Sequence, residues 1–153
     1  MPNTYTQLLI QLVFAVKGRE SLILEPNRDE IEKYICGIVK NKKHKPLAIF
    51  CMPDHLLFLI GLHPEQSISG LVMEIKTSSN TFINDKKLTK KHFAWQESYG
   101  AFSYSKSALD AVVKYILNQK EHHKKKTFQQ EYLEFMKKFD IEYDEKYLFE
   151  FYN

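Results

Sequence analysis

The stretch HLLFLIGL, residues 55–62, constrains the fold most, because it is apolar on both faces of a strand. Alternate side chains of an extended chain point to opposite faces, so His55 and Leu57 share one face and Leu56 lies on the other. A strand of this kind lies inside a sheet that is covered on both sides. His55, its only polar side chain, is then either a satisfied core histidine or part of a site.

The order of the other elements predicts an α+β fold. Apolar and turn patterns predict strands over 6–16, 46–51 and 55–62 and a last strand or hairpin within 93–105. Apolar residues at helical spacing predict helices over 25–44, 63–85 (with Ser67 as N-cap), 105–126 and 127–141 (capped by Thr127). This order is the split-βαβ, ferredoxin-like pattern: an antiparallel sheet with helices on one face, plus C-terminal helices.

Composition bounds the class of protein. The 153 residues, 44% hydrophobic and 27% charged, fit one globular domain over 1–153, since no repeat or linker interrupts them. No apolar run approaches the roughly 18 residues of a membrane span. The first residues lack a basic region and a small-residue cleavage site, so no signal peptide is expected. The two cysteines lack metal-type spacing, which favours a reducing, cytoplasmic setting.

The charge is segregated along the chain. Residues 106–126 contain six lysines and two acidic residues, whereas residues 127–153 contain three lysines and seven acidic residues. A basic helix before an acidic helix and an irregular acidic tail suggests that a polyanion meets the first segment and not the second. A solvated helix end, where cations suit the helix dipole, accounts for the same pattern equally well.

Three phrases of the sequence resemble a known family. They are MPDH at the start of a strand, WQESYGAFSYS at 95–105 and VVKYILNQKEHHKKKTFQQEY at 112–132. They are similar to the single-tyrosine transposases of the HUH superfamily, the insertion-sequence 200/605 family and the related REP-associated tyrosine transposases. The resemblance runs from about residue 4 to about residue 147, nearly the whole chain.

The resemblance implies a chemistry and a set of site residues. Members cut and rejoin single-stranded DNA near hairpins at the ends of a mobile element, through a tyrosine that becomes linked to the 5′ phosphate. They use a divalent metal, Mg²⁺ or Mn²⁺, and form homodimers in which the tyrosine helix of one subunit completes the site of the other. Carried over residue by residue, Tyr115 is the nucleophile, His55 the first metal-binding histidine and Gln119 a further ligand.

One ligand position departs from the family pattern. The motif MPDHxH reads MPDHLL here, so Leu57 stands where the second histidine is expected. His63 lies eight residues after His55, roughly 26 Å along a continued strand. His122 and His123 follow Gln119 but lie at or past the predicted helix end, and Asp54 could turn toward a metal. We therefore expect a site that binds its metal weakly.

The basic segment around the tyrosine is the expected DNA contact. Lys114, His122, His123, Lys124, Lys125 and Lys126 are predicted to be solvated and to face phosphates, although a charge run on a solvated surface explains the lysines equally. Two functions follow from the sequence. The chain is either a transposase impaired by Leu57 or a catalytically inactive DNA-binding remnant of a mobile element.

Overall fold

The structure, a computed structural model, describes residues 5–142. Four strands and five helices are defined in that range. The strands are Leu9–Ala15 (β1), Lys45–Met52 (β2), His55–Gly61 (β3) and Gly100–Tyr104 (β4). The helices are Glu25–Asn41 (α1), Ile68–Asp85 (α2), Leu109–Leu117 (α3), Gln119–His122 (α4) and Phe128–Lys138 (α5). The predicted acidic tail falls mostly outside the described residues.

The four strands form one antiparallel sheet in the order β2-β3-β1-β4. β3 therefore lies inside the sheet, as its two apolar faces predict. It pairs with β1 from Leu9 opposite Gly61 to Ala15 opposite His55, which places His55 at one end of the sheet. The antiparallel α+β fold predicted from the sequence is confirmed.

Helices cover both faces of this sheet. On the α1/α2 face, β1 and β3 side chains such as Phe14 and Phe58 pack with Ile35 of α1 and Ile75 of α2. The C-terminal helices lie on the opposite side, the α3/α5 face. Residues buried there include Val13, Leu57 and Leu59 of the sheet, Ile116 of α3 and Phe135 of α5. Within residues 5–142, no helix is long and apolar enough to cross a membrane.

The sequence predicts one helix over 105–126, and this is wrong in detail. A 3₁₀ turn, Lys106–Ala108, precedes α3, which ends at Leu117. Asn118 then departs from helical geometry (φ −102°, ψ 25°) before the short α4. Asparagine favours such breaks because its side chain competes for backbone hydrogen bonds. Residues 123–126 form the turn that leads to α5.

Both predicted helix caps are present. The Ser67 side chain accepts a hydrogen bond from the backbone N–H of Gly70 at the start of α2. Thr127 accepts from the N–H of Gln130, and the Gln130 side chain accepts in return from the N–H of Thr127. This reciprocal capping box fixes the first turn of α5.

Candidate metal and nucleophile site

The Met-Pro-Asp turn between β2 and β3 sets the orientation of His55. Asp54 Oδ1 lies 2.8 Å from His55 Nδ1, and the imidazole stacks on the Phe128 ring of α5 with centroids 4.0 Å apart. A carboxylate at neutral pH only accepts, so the proton of this hydrogen bond lies on Nδ1, and Nε2 is the ring nitrogen left to face the site. His55 is 1% exposed, and its Nε2 has no hydrogen-bond partner among residues 5–142. The hydrogen bond to Asp54 thus fixes the orientation of the His55 ring, as carboxylates do for metal-binding imidazoles.

Tyr115 and Gln119 reach the same region from α3 and α4. The Tyr115 hydroxyl donates a short hydrogen bond to Glu131 Oε2. The Gln119 side-chain nitrogen donates to the same oxygen at 3.1 Å. Gln119 is fully buried, and its Oε1 has no partner within the described part of the chain. The break at Asn118 therefore leaves both residues facing one carboxylate.

Glu131 of α5 is the centre of this arrangement, and the sequence reasoning missed it. It is 2% exposed, and its Oε1 lies 3.2 Å from His123 Nε2 and 3.8 Å from His55 Nε2. The sequence does contain a pattern that indicates a buried Glu131. Buried Phe128, Tyr132 and Phe135 of α5 mark one apolar stripe, and Glu131 falls within it at helical spacing.

The electrostatics of the pair Tyr115–Glu131 favour a neutral phenol beside an ionised carboxylate. Burial alone would raise the pKa of Glu131, but the hydrogen bond from His123, the charge of His55 and the hydrogen bond from Tyr115 outweigh it and lower that pKa. The pKa of Tyr115 is raised, chiefly by burial and then by the negative charge of Glu131. Tyr115 therefore holds its proton in the absence of a cation.

His122 and His123 do not occupy the solvated positions expected from the sequence. The His123 side chain is 13% exposed and its ring lies 4.7 Å from that of His55. The half-buried His122 ring lies 4.4 Å from the Tyr115 ring. The expectation of a solvated pair is thus corrected, because the turn after α4 brings the chain back over the α3/α5 face.

The lysines predicted to bind DNA do lie on the surface. Lys114, Lys124, Lys125 and Lys126 are all exposed. Lys124 pairs with Glu121 at 3.1 Å and Lys126 pairs with Glu134 at 2.8 Å. Lys114 and Lys125 make no ion pair with any residue in 5–142. The basic surface is thus partly neutralised by neighbouring acids.

Leu57 offers nothing to a metal, yet other groups gather beside His55. Leu57 is fully buried in the apolar packing of the α3/α5 face. Three residues, His55, His123 and Glu131, each bring one nitrogen or oxygen atom that could bind a metal. These three atoms all lie within 4.8 Å of one another. Nitrogen and oxygen donors of this kind suit a divalent cation. His55 Nε2 has no hydrogen-bond partner among the described residues, and the equally unpartnered Gln119 Oε1 is one further oxygen that could serve as a ligand. The residues present therefore fit a divalent cation.

Comparison with known proteins decides the family. A family model described as "Transposase IS200 like" matches residues 4–119, which is most of the chain. This chain belongs to the IS200-like transposase family. The ISDra2 transposase TnpA of Deinococcus radiodurans is 25% identical over 118 residues, which cover 74% of this chain and 84% of that protein.

Solved structures show the same fold as this IS200-like transposase. A crystal structure of a provisionally assigned transposase from Deinococcus radiodurans R1 superposes with a TM-score of 0.62 at 22% identity, covering 76% of this chain and 94% of that one. The structure of a REP-associated tyrosine transposase bound to a REP hairpin superposes with a TM-score of 0.60 at 17% identity. The match covers 79% of this chain and 72% of that one.

Part of the site of this family member lies outside the region that the family model matches. The family match ends at Gln119, so His123 and Glu131 lie beyond it. Four residues in the described range contact the Glu131 carboxylate: Tyr115, Gln119, His55 and His123. The homodimer with exchanged tyrosine helices stays a prediction.

Proposed function

We propose that this transposase binds single-stranded or hairpin DNA and cleaves and rejoins it through a 5′-phosphotyrosine at Tyr115. Family membership supports the reaction class, and the hairpin-bound REP-associated transposase of the same fold supports the form of the DNA. The observation that carries the proposal is the hydrogen bond from the half-buried Tyr115 hydroxyl to the buried Glu131, beside His55 and Gln119. A tyrosine that is hydrogen-bonded to a carboxylate next to unpartnered metal-type donors supports a nucleophilic role for Tyr115.

The reaction is a transesterification that needs no external energy source. The Tyr115 oxygen forms a bond to phosphorus, and the bond from phosphorus to the 3′ oxygen of the upstream nucleotide breaks. Glu131 Oε2, which accepts the Tyr115 hydrogen bond, takes the phenol proton. The departing 3′ oxygen takes up a proton and leaves as a hydroxyl. In rejoining, a 3′ hydroxyl attacks the phosphotyrosine and the phenol recovers its proton.

The chain's own residues define where this reaction occurs. His55, fixed by Asp54 and by Phe128, aims Nε2 at the space beside Glu131, and Gln119 holds the Glu131 carboxylate from α4. A bound divalent cation, Mg²⁺ or Mn²⁺, supplies positive charge that offsets the raised pKa of Tyr115 and the charge that develops on the phosphate. Burial of the cluster excludes water, which would otherwise compete for the phosphate.

The proposal also covers partners and setting. The exposed lysines Lys114, Lys124, Lys125 and Lys126 contact DNA phosphates around the site. His122 and His123 belong instead to the wall of the site, against Tyr115 and Glu131. The protein acts in the cytoplasm as a homodimer, as the family resemblance implies.

A second candidate function is hairpin binding without chemistry, left from a decayed mobile element. Two observations favour it. Leu57 removes one ligand position of the family motif, and the raised pKa of Tyr115 opposes attack in the absence of a cation. Under this alternative the lysine surface retains its role and the buried cluster is a relic.

A covalent-adduct assay separates the two functions. Purified protein is mixed with Mn²⁺ and labelled single-stranded DNA from the flanks of its own gene, then run on a denaturing gel. We expect a slow-migrating adduct that is lost in Tyr115→Phe and kept in Tyr34→Phe, because Tyr34 stacks on Phe82 on the α1/α2 face, remote from the site. An adduct formed only after Leu57→His identifies the chain as an inactive member. An adduct that persists in Tyr115→Phe contradicts the proposed nucleophile.

A further inference from the structure

The site next to His55 holds more polar groups than the family motif requires. Position 57 carries a buried leucine, yet His123 and Glu131 reach His55 from the segment beyond the family match. Both come from the turn and helix after α4. The Thr127 capping box fixes the start of α5, and Glu131 follows it by one helical turn.

Burying these polar side chains together lowers the stability of the fold unless a ligand is bound between them. His55, Gln119 and Glu131 are at least 98% buried, and the His123 side chain is 13% exposed. Taking an ionised carboxylate and its partners out of water is strongly unfavourable unless each group is well paired. His55 Nε2 and Gln119 Oε1 are unpaired among the described residues. A cation held between His55, His123 and Glu131 would give His55 Nε2 a partner, and the Gln119 side chain, which contacts Glu131 through Nε2, carries its unpartnered oxygen in the same region.

We propose that this chain has rebuilt its divalent-cation site, with His123 and Glu131 replacing the ligand that Leu57 cannot supply. The inference rests on the proposed function. The two carboxylate oxygens of Glu131 contact different residues. Oε1 faces His123 and His55, while Oε2 accepts from Tyr115 and Gln119. One carboxylate thereby links the cation to the nucleophile.

The donor set indicates which cation the site takes. Two imidazole nitrogens, one carboxylate oxygen and one amide oxygen are a nitrogen-rich set. Mg²⁺ prefers all-oxygen surroundings and keeps its water, whereas Mn²⁺ accepts imidazole readily. We therefore expect Mn²⁺ to bind more tightly than Mg²⁺. This replaces the expectation of a site weakened by the loss at position 57.

The opposing interpretation is an internal ion pair between His123 and Glu131 that needs no metal. Calorimetry and electron paramagnetic resonance of Mn²⁺ with the full chain, without DNA, test between them. We expect the Kd for Mn²⁺ to rise on the order of tenfold or more in Glu131→Gln and in His123→Leu. The matched control is Glu134→Gln, since Glu134 lies one turn along α5 but is exposed and pairs with Lys126. It should leave Kd unchanged.

A measurement on the unmodified protein avoids dependence on how the variants fold. Bound Mn²⁺ broadens NMR signals of nearby imidazoles, so labelled His55 and His123 should broaden at substoichiometric metal. His44, which contacts Gln66 and His63 away from the site, should stay sharp. Absence of broadening at His55 and His123, or equal Kd in all variants, overturns the inference.

The outcomes for the site and for the proposed function are separable. Mn²⁺ binding that depends on His123 and Glu131, with no DNA adduct, supports the rebuilt site and contradicts the transposase chemistry. A DNA adduct that requires Tyr115, with Mn²⁺ affinity indifferent to both residues, supports the chemistry and overturns the rebuilt site.

Discussion

The two faces of the sheet bury polar groups in different ways. On the α1/α2 face, Trp95 donates its indole N–H to Ser79, which in turn donates to the Ile75 carbonyl. On the α3/α5 face, His55 and Gln119 each bury an atom that has no partner among the described residues. On α2, Glu74 Oε2 also lacks a partner among the described residues, although Glu74 Oε1 lies 3.3 Å from Lys42 Nζ. The unpartnered atoms of His55 and Gln119 differ because both residues lie around Glu131 and the predicted nucleophile Tyr115.

The position of the unpartnered atoms bears on the proposed function. An apolar core with paired polar atoms maximises stability. A face with unpaired donors and a buried carboxylate gives up stability for binding or catalysis, a common trade-off in active sites. Gln11, which pairs with Leu59 and Phe102 in the sheet, accepts a hydrogen bond from the Tyr104 hydroxyl at Oε1, but its Nε2 has no partner among the described residues.

The largest expected effect comes from the α1/α2 face. Phe58 is fully buried there, in the strand that also carries His55. Phe58→Ala should lower the free energy of unfolding by about 3–5 kcal/mol, because it removes a large apolar side chain and leaves a cavity. Urea denaturation measures the change. Below the unfolding transition, the variant should bind Mn²⁺ with unchanged affinity. A loss of affinity would show that packing on the α1/α2 face also determines the site on the α3/α5 face.

Much of this comparison could be predicted from the sequence, because local patterns determine it. Apolar residues on both sides of residues 55–62 predict a doubly covered strand, and the Ser67 and Thr127 caps predict two helix starts. These signals depend on neighbours within one or two turns. The fold followed from them.

The composition of the site could not be predicted in the same way. Glu131 belongs to an apolar stripe, but a lone acid in a helix is more often solvated, and only the tertiary contact with Tyr115 shows its role. The lysines that follow His123 predict a surface position for it. The turn after the Asn118 break, which directs His123 inward, is set by packing against the sheet.

A smaller effect is expected from an apolar replacement on the α3/α5 face. His55→Leu removes a buried nitrogen without a partner but also removes the hydrogen bond to Asp54, whose carboxylate is 20% exposed and can be hydrated. The two changes should nearly cancel, leaving the free energy of unfolding within about 1 kcal/mol of the wild-type value in metal-free buffer. Mn²⁺ binding should be lost in the same variant. A destabilisation above about 2 kcal/mol would show that this face is as well satisfied as the other.

The smallest effect tests whether DNA meets the α3/α5 side of the molecule. Lys125 follows His123 in the turn before α5, is exposed and makes no ion pair with a residue in the described range. Replacing it by alanine should reduce the slope of log affinity against log salt by about 0.7–0.9, the contribution of one phosphate contact. Lys40→Ala, at an exposed position of α1, should leave the slope unchanged. Lys124 is already paired with Glu121, so its replacement should change the slope less than that of Lys125. Equal slopes for Lys125→Ala and Lys40→Ala would mean that charge contacts are spread over both sides, and that only the buried cluster distinguishes the two faces.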